Sequence, residues 1–482
     1  MTKPTMPNSY PAQLLDAPSA HSAAALLSEL ANAGLSFDVD TLERAEHARD
    51  WWPRLIPDVA RGHIENWPGV VVRPRSTSEV AATLRIAQDH RVAVTAQGGR
   101  SGVVGGAVPE SGAIALDLTG LDEVIALDEL SGTVRVQAGV FGPDLERFVR
   151  ERGYTVGHFP QSFDLATVGG WIACRGAGQY SNRYGKIEDM VRALSVVLAS
   201  GEVLALGGHG PRQAVGPDLL QLFIGSEGTL GVITEATLVV HALAPAEARA
   251  AFLFTSFPEG MEACRRILQR DARPAVLRLY DEAESKRNFE VEGCALIVLD
   301  EGDALFVDAT MSIVQQECAI ATSLDESYVE RWLARRNDVS ALAPLWERGL
   351  VVDTIEVAGP WSVLETLRQR VTKALSAIEG VFVVSVHQSH AYLDGACLYF
   401  TFAGQPTGDT TTFYRIAWDT AIDEIMRAGG AISHHHGIGR NRARFVAGAL
   451  GNAYFVLEGL KSQLDPFNIL NPGVLGLGGA AW

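Results

Sequence analysis

Cysteine is scarce in this chain: 482 residues contain five, Cys174, Cys264, Cys294, Cys318 and Cys397, an odd number with no CxxC pair. That pattern signals neither a disulfide framework nor a zinc ribbon, and it fits a reducing, cytoplasmic compartment. Long apolar runs are missing as well. No stretch approaches the roughly 18 apolar residues of a membrane span, and the Ala24-Ala25-Leu26-Leu27 run is broken by Glu29, so neither a span nor a signal peptide is expected. Positive charge is in deficit, with 40 Lys and Arg against 57 Asp and Glu and a formal charge of -17. An acidic chain lacks the basic face of a nucleic-acid binder. A few local arginines can still hold a carboxylate or phosphate, so the expected partner is a small-molecule substrate, anionic ones included.

What is present reads as several cores in sequence. Residues 1–64 form a helical N-terminal segment ending near Trp51-Trp52-Pro53. A strand at 70–72 then leads to Ser76-Thr77-Ser78-Glu79, a capping box opening a helix with Val80, Leu84 and Ala87 on one face. Hairpins are expected around Ser131-Gly132 and Ser200-Gly201. Residues 65–245 therefore read as an α+β domain. Residues 246–425 read as an α/β cap, with strands near 251–255, 275–279, 295–299, 381–386 and 398–402, and 426–482 as a C-terminal segment of helix and loop.

Glycine is concentrated in loops. Gln97-Gly98-Gly99-Arg100-Ser101-Gly102 comes directly after a strand, where glycines present successive N–H groups to an anion. No Gly-Lys-Ser/Thr closes it, and the next segment reads as a strand, so it is neither a Walker A loop nor a Rossmann turn. Alone it reads as a purely structural turn, since glycine turns joining strands are common. Thr167-Val168-Gly169-Gly170-Trp171 and Gly225-Ser226-Glu227-Gly228-Thr229-Leu230-Gly231-Val232-Ile233 repeat the combination. A large, flat, diphosphate-bearing cofactor needs several such approach points, and FAD suits.

Near the C-terminus, Ser433-His434-His435-His436-Gly437-Ile438-Gly439 holds three of only twelve histidines. Histidine exchanges protons near neutrality, and flanking glycines let backbone approach a ligand. Consecutive histidines point in different directions, unlike the four-residue spacing of a helical zinc site.

These loops, with Gly157-His158-Phe159-Pro160-Gln161-Ser162, Tyr184-Gly185-Lys186-Ile187-Glu188-Asp189 and the stretch from Leu464 to Gly473, resemble the FAD-binding family of vanillyl-alcohol oxidase and p-cresol methylhydroxylase (PCMH). Within it the pattern is most like that of alkylglycerone-phosphate synthase and its bacterial relatives, over about 67–473. The resemblance implies a two-subdomain PCMH-type FAD-binding domain, a cap facing the flavin ring, and a homodimer. It implies Gly98, Gly99, Arg100, Ser101, Gly102, Gln161, Ser162, Thr167, Gly169, Gly170, Glu227, Gly228, Gly231 and Ile233 as cofactor-binding residues. It also implies His434, His435, His436, Tyr399, Arg278 and His158 as catalytic residues. Arg278 would be the anion anchor, Tyr399 a hydrogen-bonding or proton-transfer group, and His435 the acid-base residue. Each has a plainer reading: Arg278 as an ion-pair partner of Asp281, Tyr399 as a core tyrosine, His158 as a turn cap. No histidine or cysteine stands in 97–106, and Cys174 lies past the Gly169-Gly170 turn, so FAD is expected to be non-covalent.

Two departures bear on the reaction. The synthase pattern carries an arginine about a dozen residues before an Asp/Glu-Thr/Ser-x-Glu segment, whereas Arg348 here leads directly to Asp353-Thr354-Ile355-Glu356 and cannot be assumed to replace it. Metal-dependent 2-hydroxyacid dehydrogenases of the wider family place a second histidine where Cys397 stands and a glutamate where His435 stands, so no catalytic metal is expected. The leading expectation is hydride removal from a small hydroxy acid or alcohol. The alternatives are a redox-neutral synthase-like transferase and a decayed flavin-binding scaffold.

Overall fold

Three consecutive valines, Val70–Val72, make a strand buried on both faces, as a strand inside a covered parallel sheet must be. In the computed structural model, which describes residues 24–338, 343–479 and 482, this strand pairs in parallel with Ile114–Asp117. Ile114–Asp117 pairs in turn with Val94–Gln97. Phe37–Asp38 from the N-terminal segment completes a four-stranded sheet, so that segment supplies a strand as well as helices. Helix Thr77–His90 packs Val80, Leu84 and Ala87 onto this sheet as the periodicity predicts. Its capping box is only half formed. Ser76 Oγ accepts the Glu79 N–H, but the Glu79 carboxylate accepts from the N–H of Arg75, one residue before the cap.

Both expected hairpins are present and join an antiparallel sheet ordered Val124–Asp128, Thr133–Gln137, Val232–Val239, Val191–Val197, Val203–Gly207. A third, antiparallel sheet of seven strands runs Thr322–Leu324, Ala246–Phe254, Cys294–Gly302, Val276–Tyr280, Val381–Ala391, Gly395–Gly404, Val351–Pro360. Helices Phe257–Gln269, Trp361–Ser376 and Thr410–Arg427 share its core. Two of its strands are longer than apolar pattern predicts, because Val381–Ala391 and Gly395–Gly404 continue through polar residues whose partners lie on neighbouring strands. The Asp353-Thr354-Ile355-Glu356 motif lies within an edge strand, Val351–Pro360, that the pattern does not announce.

Two buried cations fasten the C-terminal segment to the rest. Lys461, on helix Tyr454–Leu464, donates to Asp465 Oδ2 at 2.6 Å and to the carbonyls of Thr229 at 3.0 Å and Leu470 at 2.6 Å. It thereby holds the Leu464–Gly473 stretch beside Val94, whose N–H donates to the Ile469 carbonyl. Arg442, fully buried, pairs with the equally buried Glu356 on strand Val351–Pro360 and donates to the Ile432 carbonyl. Removing one member of a buried pair strands the other charge, at a cost of about 3–5 kcal/mol. Lys461→Met and Arg442→Met should each lower stability by about that amount, read as the loss of urea-unfolding free energy; a loss under about 1 kcal/mol, the range of an exposed ion pair, would refute the assignment.

Candidate functional site

One cavity of about 850 Å3 lies between the glycine loops and the seven-stranded sheet. All the residues expected to bind cofactor line it, from Gly98, Gly99, Arg100, Ser101 and Gly102 through Gln161, Ser162, Thr167, Gly169 and Gly170 to Glu227, Gly228, Gly231 and Ile233. His158, Arg278, Tyr399, His435 and His436 line the same space, and His434 stands behind it. Gly98 and Gly99 are required by protein packing. A Cβ at Gly98 would meet Thr167 Oγ1 at 2.2 Å, and one at Gly99 the Leu165 carbonyl at 1.7 Å. The first two loops thus interlock before any ligand is considered.

The histidine loop is wrapped around two buried carboxylates. Glu356 Oε1 accepts the N–H groups of His434 (3.2 Å), His435 (3.0 Å) and His436 (2.7 Å) and the Ser433 hydroxyl (2.8 Å). Successive N–H groups converging on one anion form a nest. Glu227 accepts Ile438 N–H at 2.6 Å and Gly439 N–H at 2.8 Å. Glycine is needed at 437 and 439, where φ is positive and a Cβ would press on Glu227 at 2.9 Å and on the Val104 carbonyl at 2.2 Å. Burial alone would raise Glu356, but Arg442 outweighs it, helped by His436 and the converging N–H groups, and holds the carboxyl at about 2. Glu227 lacks such a partner, and burial pushes it up to about 7.

Strand register assembles the facing wall. Glu356, Tyr399 and His387 are directly opposed on three adjacent strands. Tyr399 stacks on His387, with centroids 4.7 Å apart, and its hydroxyl donates to Thr354 Oγ1 at 3.0 Å. Burial pushes its phenol upward, so Tyr399 is a hydrogen-bond donor rather than a base at neutral pH. Burial and the neighbouring Arg278 cation hold His387 at about 4, and therefore neutral. Arg278 donates to His387 Nε2 at 2.5 Å, and His387 Nδ1–H donates in turn to Glu284 Oε2 at 2.9 Å. Asp281 is not the partner of Arg278: it caps helix Glu282–Phe289 and accepts the Val386 N–H at 2.7 Å. The guanidinium has no carboxylate partner among the described residues, and its Nε is buried without any partner. Arg287, Arg331, Arg335 and Arg336 also line the cavity, whereas Arg348 is exposed and does not.

His158 does not cap a turn. It is buried against Trp171, centroids 4.7 Å apart, and neither ring nitrogen has a partner. Those orphaned nitrogens, in a largely apolar cavity walled by glycine backbone, fit a bound flavin nucleotide with a flat ring and a polar tail. Cys174 also lines the cavity, where its thiol donates to the Trp171 carbonyl and is pushed up to about 12 by burial.

Folding brings together what the sequence spacing kept apart. His390 joins His434 and His435, with one ring nitrogen of each within 4.8 Å of the others, a set able to hold a metal ion. Hydrogen bonds also link these rings: His390 Nδ1 with Ser181 Oγ, His434 Nε2 with Tyr392 OH, and His434 Nδ1 with His435 Nδ1. Glu356, Arg442, His387, Glu284 and Tyr392 were not among the expected site residues. Asp353-Thr354-Ile355-Glu356 and the closely spaced His387 and His390 were visible signals, but nothing in one strand indicates which neighbour it will meet.

Comparison with known proteins agrees with this architecture. Residues 68–207 match a model of the FAD binding domain, and 243–475 match the C-terminal domain of FAD linked oxidases. An uncharacterized FAD-linked oxidoreductase, YgcU, of Escherichia coli is 32% identical over 445 residues, covering 88% of this chain and 92% of the relative. Alkyldihydroxyacetonephosphate synthase of Dictyostelium discoideum is 30% identical, covering 90% and 77%. D-lactate dehydrogenase of Anaerostipes hadrus is 30% identical, covering 84% and 89%. A solved alkyldihydroxyacetonephosphate synthase superposes with a TM-score of 0.81 at 27% identity, over 95% of this chain and 87% of that one. p-Cresol methylhydroxylase, at 15% identity and a TM-score of 0.73 over 94% and 95%, shares the fold. The chain therefore belongs to the FAD-linked oxidase family, in which a PCMH-type FAD-binding domain is joined to the FAD-linked oxidase C-terminal domain.

Proposed function

We propose that this protein oxidises a small hydroxy acid, or an alcohol of similar size, using non-covalently held FAD. When bound, the flavin supplies the hydride acceptor. His435 accepts the hydroxyl proton through Nε2, since Nδ1 is engaged by His434. Arg278 holds the substrate carboxylate, and the observation that carries the reading is its half-buried guanidinium, which has no direct carboxylate partner among the described residues, keeps a buried Nε without a partner and is hydrogen-bonded to a neutral histidine. A partly desolvated cation without a direct counter-ion is costly, and a bound anion would satisfy it. Tyr399 donates a hydrogen bond within the same site. Similarity to a D-lactate dehydrogenase supports an acid as substrate.

The second reading is a redox-neutral transfer like that of alkyldihydroxyacetonephosphate synthase, favoured by the 27% identity and high superposition with that enzyme. Its weakness is Arg348, exposed and outside the cavity. An anaerobic titration of the FAD-loaded protein with hydroxy acids, alcohols and acyl-dihydroxyacetone phosphate separates the two. Bleaching of the flavin by a hydroxy acid is expected; exchange of acyl for alkyl chain without net bleaching would replace the oxidase reading.

His435→Ala should abolish flavin reduction while retaining FAD, and unchanged kinetics would remove it from the mechanism. Arg278→Gln should raise KM for carboxylate substrates by about 10- to 100-fold, the worth of a charged hydrogen bond, with little effect on neutral alcohols. Burial and the surrounding histidines hold His435 well below 6.5. The free base is then present throughout the neutral range, so the acid limb of kcat/KM should lie below pH 6.5. A limb at or above that value would show a base titrating as in water.

A further inference from the structure

Taking a proton from substrate at the cavity wall raises the question of where it goes. His435 borders the cavity, and on that wall His387 is committed to Arg278 and Glu284 and Glu356 to the loop N–H groups and Arg442, while the neighbouring His436 ring, 4.5 Å away between centroids, makes no hydrogen bond to His435. On its other side His435 meets an unbroken series of proton-passing groups. Its Nδ1 is 2.9 Å from Nδ1 of His434, and Nε2 of His434 is 3.0 Å from the Tyr392 hydroxyl. Beyond lies Ser181 Oγ, 3.4 Å from Tyr392 and 2.9 Å from His390 Nδ1.

The geometry of the series is supported from several directions. Tyr392 stacks on His434 with an interplanar angle of 20°. His390 sits at a register break between strands Val381–Ala391 and Gly395–Gly404, in the left-handed region at φ 46°. A bulge of this kind re-aims one side chain, and a non-glycine residue in that region costs on the order of 1 kcal/mol or more, which the surroundings must offset. The break turns His390 toward His434 and His435, with ring centroids 5.0 and 4.8 Å away.

We propose that His434 and Tyr392 form a proton exit leading from His435, behind the cavity wall, to the half-buried residue Tyr392. This rests on His435 being the proton acceptor. The substrate hydroxyl proton bonds to Nε2 of His435; the Nδ1 proton of His435 passes to Nδ1 of His434; the Nε2 proton of His434 passes to the Tyr392 oxygen; and the Tyr392 hydroxyl proton leaves to water. One proton enters and one leaves, each N–H or O–H bond broken is matched by one formed, and no electrons travel this way. His434 and Tyr392 act through His435 and are positioning residues.

The test uses the full-length, FAD-loaded protein labelled with [15N]histidine. A proton shared between the two Nδ1 atoms should give an imidazole N–H resonance lost in both His434→Gln and His435→Gln. Tyr392→Phe keeps the stacked ring and removes only the hydroxyl, and it should slow exchange of that proton with bulk water by about 10²-fold, the lower end of what a positioned proton-transfer group contributes. Ser181→Ala, which leaves the exit phenol in place, should slow it far less. Absence of the shared-proton resonance, equal exchange in wild type and Tyr392→Phe, or stoichiometric metal on the purified protein would each overturn the proposal. This readout needs no substrate, so its failure is distinct from failure of the oxidase reading. With a reducing hydroxy acid in hand, Tyr392→Phe should delay proton release to an indicator dye relative to flavin bleaching; simultaneous signals would argue against the exit.

Discussion

One carboxylate organises the site. Glu356 receives three consecutive backbone N–H groups and a serine hydroxyl while Arg442 neutralises it, and without that anion the loop from Ser433 to His436 would have four donors converging on nothing. Three adjacent histidines have no intrinsic reason to adopt a functional arrangement, since their side chains diverge. The nest imposes one by fixing the backbone and leaving the rings to find separate partners. His434 turns to Tyr392, His435 to His434 and the cavity, and His436 toward Tyr399, with centroids 5.6 Å apart. Glu227 repeats the device at Ile438 and Gly439, tying the same loop to the glycine-rich side of the cavity.

This arrangement links the two halves of the molecule chemically. Glu356 belongs to the seven-stranded sheet and Glu227 to the third glycine loop, so the histidine run is suspended between them. Glu227, expected from sequence to serve the cofactor, lines the cavity and also shapes the loop that faces it. Gly98 and Gly99 are likewise doubly constrained. Phosphate cradling was the expectation for these glycines, and the contacts that forbid a side chain there are with Thr167 and Leu165. A cavity able to take a dinucleotide requires its loops to pack tightly on each other first.

Charge is distributed against the chain's overall balance. The protein is strongly acidic, yet Arg278, Arg287, Arg331, Arg335 and Arg336 border one cavity, and Arg278 is hydrogen-bonded to a neutral histidine and lies over the Tyr280 and Trp332 rings. Net charge therefore says little about the ligand. Local composition at the cavity wall decides which small molecules are attracted.

The sequence by itself determined the elements whose information is local. Apolar periodicity specified helix Thr77–His90, turn glycines the two hairpins, and ordered glycine loops the family and hence the fold. It also marked the histidine run, because a cluster of one residue type is visible without contacts. Tertiary structure alone decided what those histidines touch. Glu356, His387, His390 and Tyr392 lie 42 to 80 residues from the run, and their partnership is set by strand register, by a bulge at His390 and by a buried ion pair. Such terms depend on which surfaces meet once side chains leave water, and a one-dimensional pattern carries no record of that meeting.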